Sequence, residues 1–385
     1  MAKIKVGVFV PYSGIYRNLR SDFLNGIDAA IPEALKKDIV FQPEFIQTGS
    51  TKQVEDAFRK LVLFESVDLL TGIVSTSILA NLVQSINTEK IPCIINNLGG
   101  YIPVETLSSP YLFYNSMHLW KSEWAIGKWM QNKFGGIPAI GTHIYDSGYN
   151  LHECFRIGTV ESGADECRLH VLKLEGLQGF ADTSPLIEIF THEQPSHAHI
   201  ILSSKEGTEF INKFYSDAIV DKIPISVSPF MVNDDDIFNF NKSPEIINAL
   251  SWDYNIDNSE NVRFKNDYEH TVGTKPNVFS LLGYETGLAI TEAIDKLNDN
   301  RPDKNKLTEA LSQTDMNGPR GKIAISTIDL NTPQPIYIRS ARIGGNNRQI
   351  KNEVIDVVNG IEWNDKTLTS VRQANHSWQN PYLCV

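Results

Sequence analysis

The stretch that decides the fold is Lys3-Ile-Lys-Val-Gly-Val-Phe-Val-Pro-Tyr-Ser-Gly14, which a polar segment separates from Phe23-Leu-Asn-Gly-Ile-Asp-Ala-Ala-Ile31. The apolar run predicts a buried strand, the Pro-Tyr-Ser-Gly turn ends it, and the second segment predicts a helix. This order is typical of α/β sheets, in which ligands lie at the carboxyl ends of the strands. Because the turn carries hydroxyls and an aromatic ring rather than a run of glycines, it favours a small molecule over a nucleotide.

Strand and helix patterns alternate along most of the chain. Short apolar runs predict strands at Val6–Val10, Val40–Ile46, Leu69–Ile73, Cys93–Ile95, Ala139–His143, Arg168–Lys173, His199–Leu202 and Ile225–Val227. Amphipathic segments such as Gln53–Glu65 and Ile78–Asn87 predict helices between them. The alternation predicts an α/β fold with parallel sheets and helices on both faces.

The alternation starts twice, once at residue 3 and again near Ala139, after a helix predicted over Leu119–Lys133. Two similar series in one chain predict two Rossmann-like lobes with a cleft between them. Two further helices are predicted at Val278–Asn298 and Lys306–Gln313. Antiparallel strands are expected at Lys322–Ser326 and Pro335–Ile343, and a polar tail follows from Asn346.

Composition excludes several classes of partner. The chain has 385 residues, 41% of them hydrophobic, and a formal net charge of −11. Nucleic acids and anionic membrane surfaces bind proteins with clustered Lys and Arg. This chain has an excess of acidic residues, so neither is expected as a partner. No apolar stretch approaches the roughly 20 residues of a membrane span, so no membrane insertion is expected. The N-terminus shows no signal-peptide core, which leaves open a cytoplasmic protein or a periplasmic one in its mature form.

Signals for catalysis and for metals are weak. The four cysteines form no Cys-x-x-Cys pair, so no zinc or redox motif is predicted, and a bridge between Cys154 and Cys167 is not expected. No glycine-rich phosphate loop or nucleophile elbow follows a predicted strand. His192, His197 and His199 are interpreted as loop histidines rather than metal ligands. We therefore predict a non-catalytic protein with no cofactor and no metal.

Five motifs carry a resemblance to a known family. They are Tyr12-Ser-Gly14 with Leu24-Asn-Gly-Ile-Asp-Ala-Ala30, Gly72-Ile-Val-Ser-Thr-Ser77, Lys90-Ile-Pro-Cys-Ile-Ile95, Val278-Phe-Ser-Leu-Leu-Gly-Tyr-Glu285 and Gly318-Pro-Arg-Gly-Lys-Ile323. In this order and spacing they resemble the type I periplasmic binding proteins. The similarity is greatest to the branch that binds leucine, isoleucine and valine or senses amides. The match covers about residues 3–343 and leaves the tail from about 345 outside.

The resemblance implies two lobes joined by a hinge that the chain crosses three times. The crossings are expected near Ser116–His118, Leu250–Asp253 and Gly321–Ala324. The N-terminal lobe would then hold residues 1–117 and 253–322, and the C-terminal lobe residues 118–252 and 323–385. In such a protein the ligand binds between the lobes, and hinge closure buries it.

The resemblance also implies a set of ligand contacts. Turn hydroxyls and backbone N–H groups at strand ends would hold a polar group of the ligand, as oriented N–H donors and helix N-termini do elsewhere. Aromatic side chains would form the walls, and Tyr149 would close over the ligand from the second lobe. The expected ligand-binding residues are Tyr12, Ser13, Tyr16, Ser75, Thr76, Asn97, Leu98, Gly99, Tyr149, Phe230 and Tyr284. For Ser75 and Thr76 the alternative is a helix N-cap.

One departure from the family pattern bears on the ligand. Amino-acid binders of this family place a carboxylate against the ligand's ammonium near Ser228-Pro-Phe230, where this sequence offers Phe230. A buried cation without a partner is costly. A neutral ligand, an aromatic ligand or an organic acid is therefore predicted in preference to a free amino acid. Asp253 and Glu285 are the carboxylates that could replace the missing one.

Three functions are left open by the sequence, and one is preferred. The family resemblance predicts a solute-binding protein that delivers its ligand to an ABC-type membrane transporter. The alternative is a cytoplasmic sensor, similar to amide-sensing regulators, that controls a partner protein. An enzyme on a two-lobe α/β scaffold is the third hypothesis, and the missing catalytic motifs count against it.

Overall fold

The chain folds into two compact units. The computed structural model describes residues 3–102, 107–144, 146, 150–173, 181–217, 220–233, 238, 245–297, 303–323, 325, 334–344 and 349–359. The first unit holds the described residues up to Met117 together with those of Ile256–Gln334. The second holds the described residues of His118–Asn255 and those from Pro335 to 359. The predicted lobes, as bodies that close around a ligand, remain a prediction.

A five-stranded parallel sheet forms the centre of the first unit. Its strands are β1 (Ile4–Val10), β2 (Ile39–Phe45), β3 (Leu69–Ile73), β4 (Cys93–Asn97) and β5 (Leu112–Ser116). They lie in the order β2-β1-β3-β4-β5. Strand β2 thus lies on one side of β1, and β3 and the later strands lie on the other side. This reversal of strand order places a topological switch point between β1 and β3.

A larger sheet forms the centre of the second unit. Its parallel strands are β6 (Ala139–His143), β7 (Arg168–Leu172), β8 (Ala198–Ile201), β9 (Ile225–Val227) and β10 (Ile246–Leu250). Their order is β7-β6-β8-β9-β10, which repeats the topology of the first unit and places a second switch point between β6 and β8. The repeat confirms the prediction that the α/β pattern begins twice.

Antiparallel strands complete both units. A hairpin of β11 (Met316–Gly318) and β12 (Gly321–Ile323) belongs to the first unit. In the second, β13 (Ile336–Gly344) pairs with β10, and β14 (Gln349–Val358) pairs with β13. Strand β14 lies in the polar tail that follows residue 346, where no strand was predicted; its Ile350 and Asn352 are buried, and its residues from Glu353 to Val357 are exposed.

Eleven α-helices of the described chain cover the two sheets. They are α1 (Leu19–Ala30), α2 (Glu33–Lys36), α3 (Thr51–Arg59), α4 (Thr76–Glu89), α5 (Leu119–Phe134), α6 (Leu151–Glu161), α7 (Ser184–Glu193), α8 (Ser204–Ser216), α9 (Ser259–Val272), α10 (Val278–Lys296) and α11 (Lys304–Ser312). The predicted helix Gln53–Glu65 ends as a π-helical turn over Lys60–Phe64, closed by a bond from Glu65 N to Lys60 O. None of the described helices combines the length and the apolar character needed to cross a membrane.

Each unit has its own apolar core. In the first, Phe9, Leu70 and Ile95 of the sheet pack against helices α3 and α4. In the second, Ile200 and Phe210 belong to the core between β8 and α8. Of the cysteines, Cys93, Cys154 and Cys167 are free thiols, so the expected absence of a bridge between Cys154 and Cys167 is confirmed.

Candidate functional site

The switch point of the first unit brings two predicted turns together. The turn after β1 carries Tyr12 and Ser13, and the turn after β3 carries Ser75 and Thr76. Because β1 and β3 are neighbours and run parallel, both turns lie at the same edge of the sheet. Ligands of open α/β sheets bind outside the carboxyl ends of the strands at such a point.

The turn after β1 is held by its own backbone. Ser13 is buried, and its Oγ accepts hydrogen bonds from the backbone N–H groups of Ile15 at 3.2 Å and Tyr16 at 3.0 Å. Ser13 Oγ thus serves as the acceptor that holds this turn, and its hydroxyl also carries a proton that it can donate. The Tyr12 side chain is 60% exposed, whereas the Tyr16 ring is half-buried and packs edge-on against Phe279.

The turn after β3 leads directly into helix α4. Ser75 occupies the position before the helix, but its side chain makes no capping hydrogen bond and its Oγ lies 3.0 Å from Ser77 Oγ. The side-chain cap considered as the alternative is therefore wrong for Ser75. The first N–H groups of α4 point out of the helix end, where backbone donors and the helix dipole favour an anion.

Asn97 fixes the position of Thr76. Both side chains are buried, and Asn97 Nδ2 donates to Thr76 Oγ1 at 3.2 Å. Ser116 Oγ in turn donates to Asn97 Oδ1 at 2.8 Å. Leu98 follows Asn97 into the core, and Gly99 adopts a left-handed backbone conformation with φ of 79° that favours glycine. Asn97 is thus a positioning group behind Thr76.

Tyr284 lies apart from these turns, in the helical layer of the first unit. It is 2% exposed in the middle of α10, and its hydroxyl donates to Asp267 Oδ2 of α9 at 2.8 Å. Its ring packs at 4.8 Å from that of Phe264. The structure therefore assigns Tyr284 to the packing of α9 on α10, and we leave it out of the proposed site.

The switch point of the second unit carries three buried titratable groups. His143 is the last residue of β6, Asp146 follows it, and Glu206 lies in the first turn of α8, after β8. Ser203 Oγ donates to Asp146 Oδ1 at 2.7 Å, and the Ala181 N–H donates to Glu206 Oε1 at 2.6 Å. Glu206 Oε2 lies 4.0 Å from His143 Nδ1. None of the three was predicted from the sequence, and Asp146 lies only three positions before the predicted contact Tyr149.

Burial governs the protonation of these groups. Desolvation raises the pKa of Asp146 to about 7, against the hydrogen bond from Ser203, and the neighbouring Glu206 raises it further. Burial lowers the pKa of the His143 imidazole below its usual value, although Glu206 acts in the opposite direction. The neutral form of His143 is the one that offers a nitrogen lone pair.

The remaining predicted contacts of the second unit follow β6 and β9. Phe230 lies half-buried in a 3₁₀ turn over Pro229–Met231, and Tyr149 lies outside the described residues. Phe230 thus places an aromatic residue after the carboxyl end of β9. The acidic groups Asp146 and Glu206 follow the carboxyl ends of β6 and β8 at the same edge of the sheet.

The two carboxylates considered as replacements are engaged in ion pairs. Asp253 Oδ2 lies 3.5 Å from Arg339 Nη1, and Glu285 forms a bidentate pair with Arg320. Both carboxylates are therefore committed to charge pairs within their own units, and neither is carried into the proposed site.

The loop interpretation of the three histidines was wrong for His192 and His199, whereas His197 does lie in the bend between α7 and β8. His192 is in α7, His199 is in β8, and His197 directly precedes β8. His199 is fully buried, stacks on Phe155, and lies 2.8 Å from Ser226 Oγ and 2.6 Å from Glu123 Oε2.

The groups around His199 have the types of a Ser-His-Glu triad, yet Ser226, His199 and Glu123 are each at most 1% exposed. A nucleophile must meet its substrate, and Ser226 lies in the middle of β9 inside the sheet. We therefore assign these three residues to a buried structural cluster of polar groups, which sequence reasoning missed because its members are 27 or more positions apart.

His197 makes the stability of the second unit depend on pH. Burial lowers its pKa to about 4, so the unfolded chain takes up a proton below about pH 6.5 while the folded chain does not. Stability is therefore lost as the pH falls through this window. The unfolding free energy of wild type minus that of His197→Gln is expected to fall by about 2 kcal/mol from pH 7 to pH 5.

Urea unfolding of the wild type and of His197→Gln at several pH values measures this difference. The contributions of titratable groups that both proteins share cancel in it. The difference should be flat between pH 7 and pH 8. A difference that stays constant down to pH 5 would contradict the lowered pKa of His197 in the folded protein.

The two repeated parallel sheets, each with polar groups at its switch point, define the class of the type I periplasmic binding proteins. The sequence profile of the periplasmic binding protein family matches residues 3–188 and 236–346. The chain belongs to this family.

Known proteins agree with this assignment. The Leu/Ile/Val-binding protein homolog 6 of Brucella suis is 20% identical over 348 residues, which are 87% of each chain. A solute-binding protein of an ABC transporter from Rhodopseudomonas palustris, solved with 3,4-dihydroxybenzoic acid, has a TM-score of 0.73 at 22% identity and covers 94% of this chain and 98% of its own. The substrate-binding protein LivJ of Streptococcus pneumoniae, solved with isoleucine, has a TM-score of 0.69 at 15% identity, covering 93% and 99%.

Proposed function

We propose that this chain is the solute-binding component of an ABC-type transporter and that its solute is a small organic acid. Membership of the periplasmic binding protein family supports the binding role. The matched proteins named above are transport components or binding proteins, so the alternative of a regulatory sensor is not carried forward.

The observation that carries the choice of solute is the end of helix α4. Its N-terminus has no side-chain cap from Ser75, and the Thr76 hydroxyl lies beside it. Together they form a site for a carboxylate that requires no Lys or Arg. Dihydroxybenzoic acid and isoleucine, bound by the two solved structures named above, both carry a carboxylate.

Aromatic and other organic acids are proposed ahead of free amino acids. Phe230 and the exposed ring of Tyr12 offer apolar surface at the strand ends of the second and first units, respectively. Tyr149 remains a candidate on the family resemblance alone. Closure of the two units around the solute is likewise part of the proposal.

A thermal-shift screen tests the proposal, because a ligand that binds only the folded state raises the melting temperature. The panel holds benzoate, 4-hydroxybenzoate, 3,4-dihydroxybenzoate, leucine, isoleucine, valine and small amides. We expect shifts with the aromatic acids. Hits confined to α-amino acids would overturn the preference for organic acids, and no hit across a wider panel of carboxylates would overturn the carboxylate site.

Calorimetry on variants places the site. Thr76→Ala removes a hydroxyl beside the proposed carboxylate, and a hydrogen bond to a charged group contributes about 1.5–3 kcal/mol. We expect the dissociation constant of a hit to rise at least about ten-fold. The matched control is Thr88→Ala, at the other end of α4, where the exposed hydroxyl donates to Gln84 O and affinity should not change. Equal affinities of both variants would move the site away from α4.

A further inference from the structure

The three buried groups at the switch point of the second unit form a cluster of metal-ligand types. His143, Asp146 and Glu206 are 1%, 2% and 6% exposed, respectively. One donor atom from each lies within 4.8 Å of the other two. The neighbouring parallel strands β6 and β8 bring them together, because His143 ends the first strand and Glu206 follows the second.

Outer hydrogen bonds orient the two carboxylates. Glu206 Oε1 is held by the Ala181 N–H, which leaves Oε2 on the side of His143. Asp146 Oδ1 is held by the Ser203 hydroxyl. In protein metal sites, ligating side chains are fixed in this way by partners that do not touch the ion. The 4.0 Å between Glu206 Oε2 and His143 Nδ1 is too long for a hydrogen bond, so these two groups face each other without one joining them.

Charge distinguishes this cluster from ordinary buried polar groups. Two carboxylates removed from water need either protons or a compensating positive charge, since an isolated buried anion is strongly unfavourable. An imidazole nitrogen with two carboxylate oxygens is a donor set of the kind that binds Zn²⁺. We propose that His143, Asp146 and Glu206 bind one divalent transition-metal ion of the zinc type.

The spacing of the donors sets the movement that binding requires. Bonds of about 2.1 Å in a tetrahedral zinc site place the donor atoms about 3.4 Å apart. The cluster is wider than this, so the ion draws the donors in by about 1 Å, which lies within the reach of a carboxylate rotation. Three protein donors leave a fourth position for water or for an oxygen of a bound molecule.

A bound cation would also relieve repulsion within the cluster. With both carboxylates ionised, their negative charges repel each other, whereas a divalent cation neutralises them. The metal proposal does not depend on the identity of the solute, because the ion alone serves as the probe.

The test is a calorimetric titration of the full chain with ZnCl₂ at pH 7.5, after treatment with EDTA and dialysis. We expect one Zn²⁺ per chain with a dissociation constant in the micromolar range or tighter, and much weaker uptake of Mg²⁺. Asp146→Asn and Glu206→Gln should each weaken zinc binding at least ten-fold. Ser203→Ala should weaken it about ten-fold by freeing the Asp146 carboxylate.

The matched control is Glu193→Gln, which alters a carboxylate beside His170 and Arg168 on the outer part of the same unit. Its zinc affinity should equal that of the wild type. If the wild type binds no zinc, that result alone overturns the proposal. Equal affinity in the wild type and in folded Asp146→Asn, checked by circular dichroism, would assign the ion to another surface and overturn it as well.

Discussion

Replacing Arg320 by methionine is expected to lower the free energy of unfolding of the first unit by about 3–5 kcal/mol. Arg320 lies in the two-residue turn between β11 and β12, and its side chain is 1% exposed. Its guanidinium forms a bidentate pair with Glu285, at 2.8 Å from Nε to Oε1 and 2.5 Å from Nη2 to Oε2. The substitution leaves the fully buried Glu285 without its partner, which is the costly way of breaking a buried pair.

Two further hydrogen bonds add to the loss. Arg320 Nη1 donates to Ser116 O and Nη2 to Asn115 Oδ1, each at 2.8 Å. Both acceptors are at the end of β5, so the turn of a distant hairpin holds the edge of the parallel sheet. Methionine fills part of the volume of arginine but donates nothing, and the two oxygens stay buried without a replacement.

Arg342→Met provides the matched control. Arg342 pairs with Glu245 at 3.5 Å, but both side chains are about half exposed, at 52% and 47%. An exposed pair contributes at most about 1 kcal/mol, so this variant should unfold close to the wild type. Urea unfolding followed by far-ultraviolet circular dichroism measures both. A loss in Arg320→Met no larger than in the control would show that the buried pair does not hold the unit together.

The Arg320 network also reaches the proposed carboxylate site. Arg320 holds the carbonyl of Ser116, whose hydroxyl donates to Asn97, and Asn97 donates to Thr76. Each link joins the end of one strand to the next. The position of the Thr76 hydroxyl thus depends on a residue more than two hundred positions away in sequence.

Patterns of local origin were predictable from the sequence. The strands Leu69–Ile73, Ala139–His143 and Ile225–Val227 have the predicted limits because each is a short apolar run with breakers on both sides. The turn residues Ser13 and Thr76 were predicted from the family resemblance, and the neighbouring parallel strands β1 and β3 place both turns at one edge of the sheet. Strand β14 was not predicted because half of its residues are polar and only Ile350 and Asn352 are buried, so the segment resembles a solvated tail.

Groups assembled from distant segments were not predictable from one sequence. Glu206 follows Asp146 by sixty positions, and neither lies in a motif with metal-ligand spacing. Tyr284 was placed in the site because its motif resembles the family, but its hydroxyl bonds to Asp267 on the neighbouring helix. Side-chain direction on a helix is set by the packing partner, and a spacing rule contains no information about that partner.

Replacing Gly283 or Gly158 by alanine is expected to destabilise its own unit by about 3 kcal/mol, at the upper end for overpacked sites. A Cβ atom at Gly283 in α10 would overlap the carbonyl oxygen of Phe23 in α1. At Gly158 in α6 it would overlap the carbonyl oxygen of Trp124 in α5. The obstacles are backbone atoms of a facing helix, so no side-chain rotation relieves them, and the helices have to separate.

The close backbone contacts are reciprocal, so alanine at the glycine of the facing helix is expected to have the same destabilising effect. A Cβ at Gly26 in α1 would overlap Ser280 O of α10, and one at Gly127 in α5 would overlap Phe155 O of α6. Each unit thus packs one helix pair at backbone contact through glycines on both helices. Gly14→Ala is the control, because a Cβ there meets nothing within 4 Å. Urea midpoints should fall clearly for Gly283→Ala and Gly158→Ala while the control stays near the wild type, and a wild-type midpoint for either would show that its helices lie further apart than described.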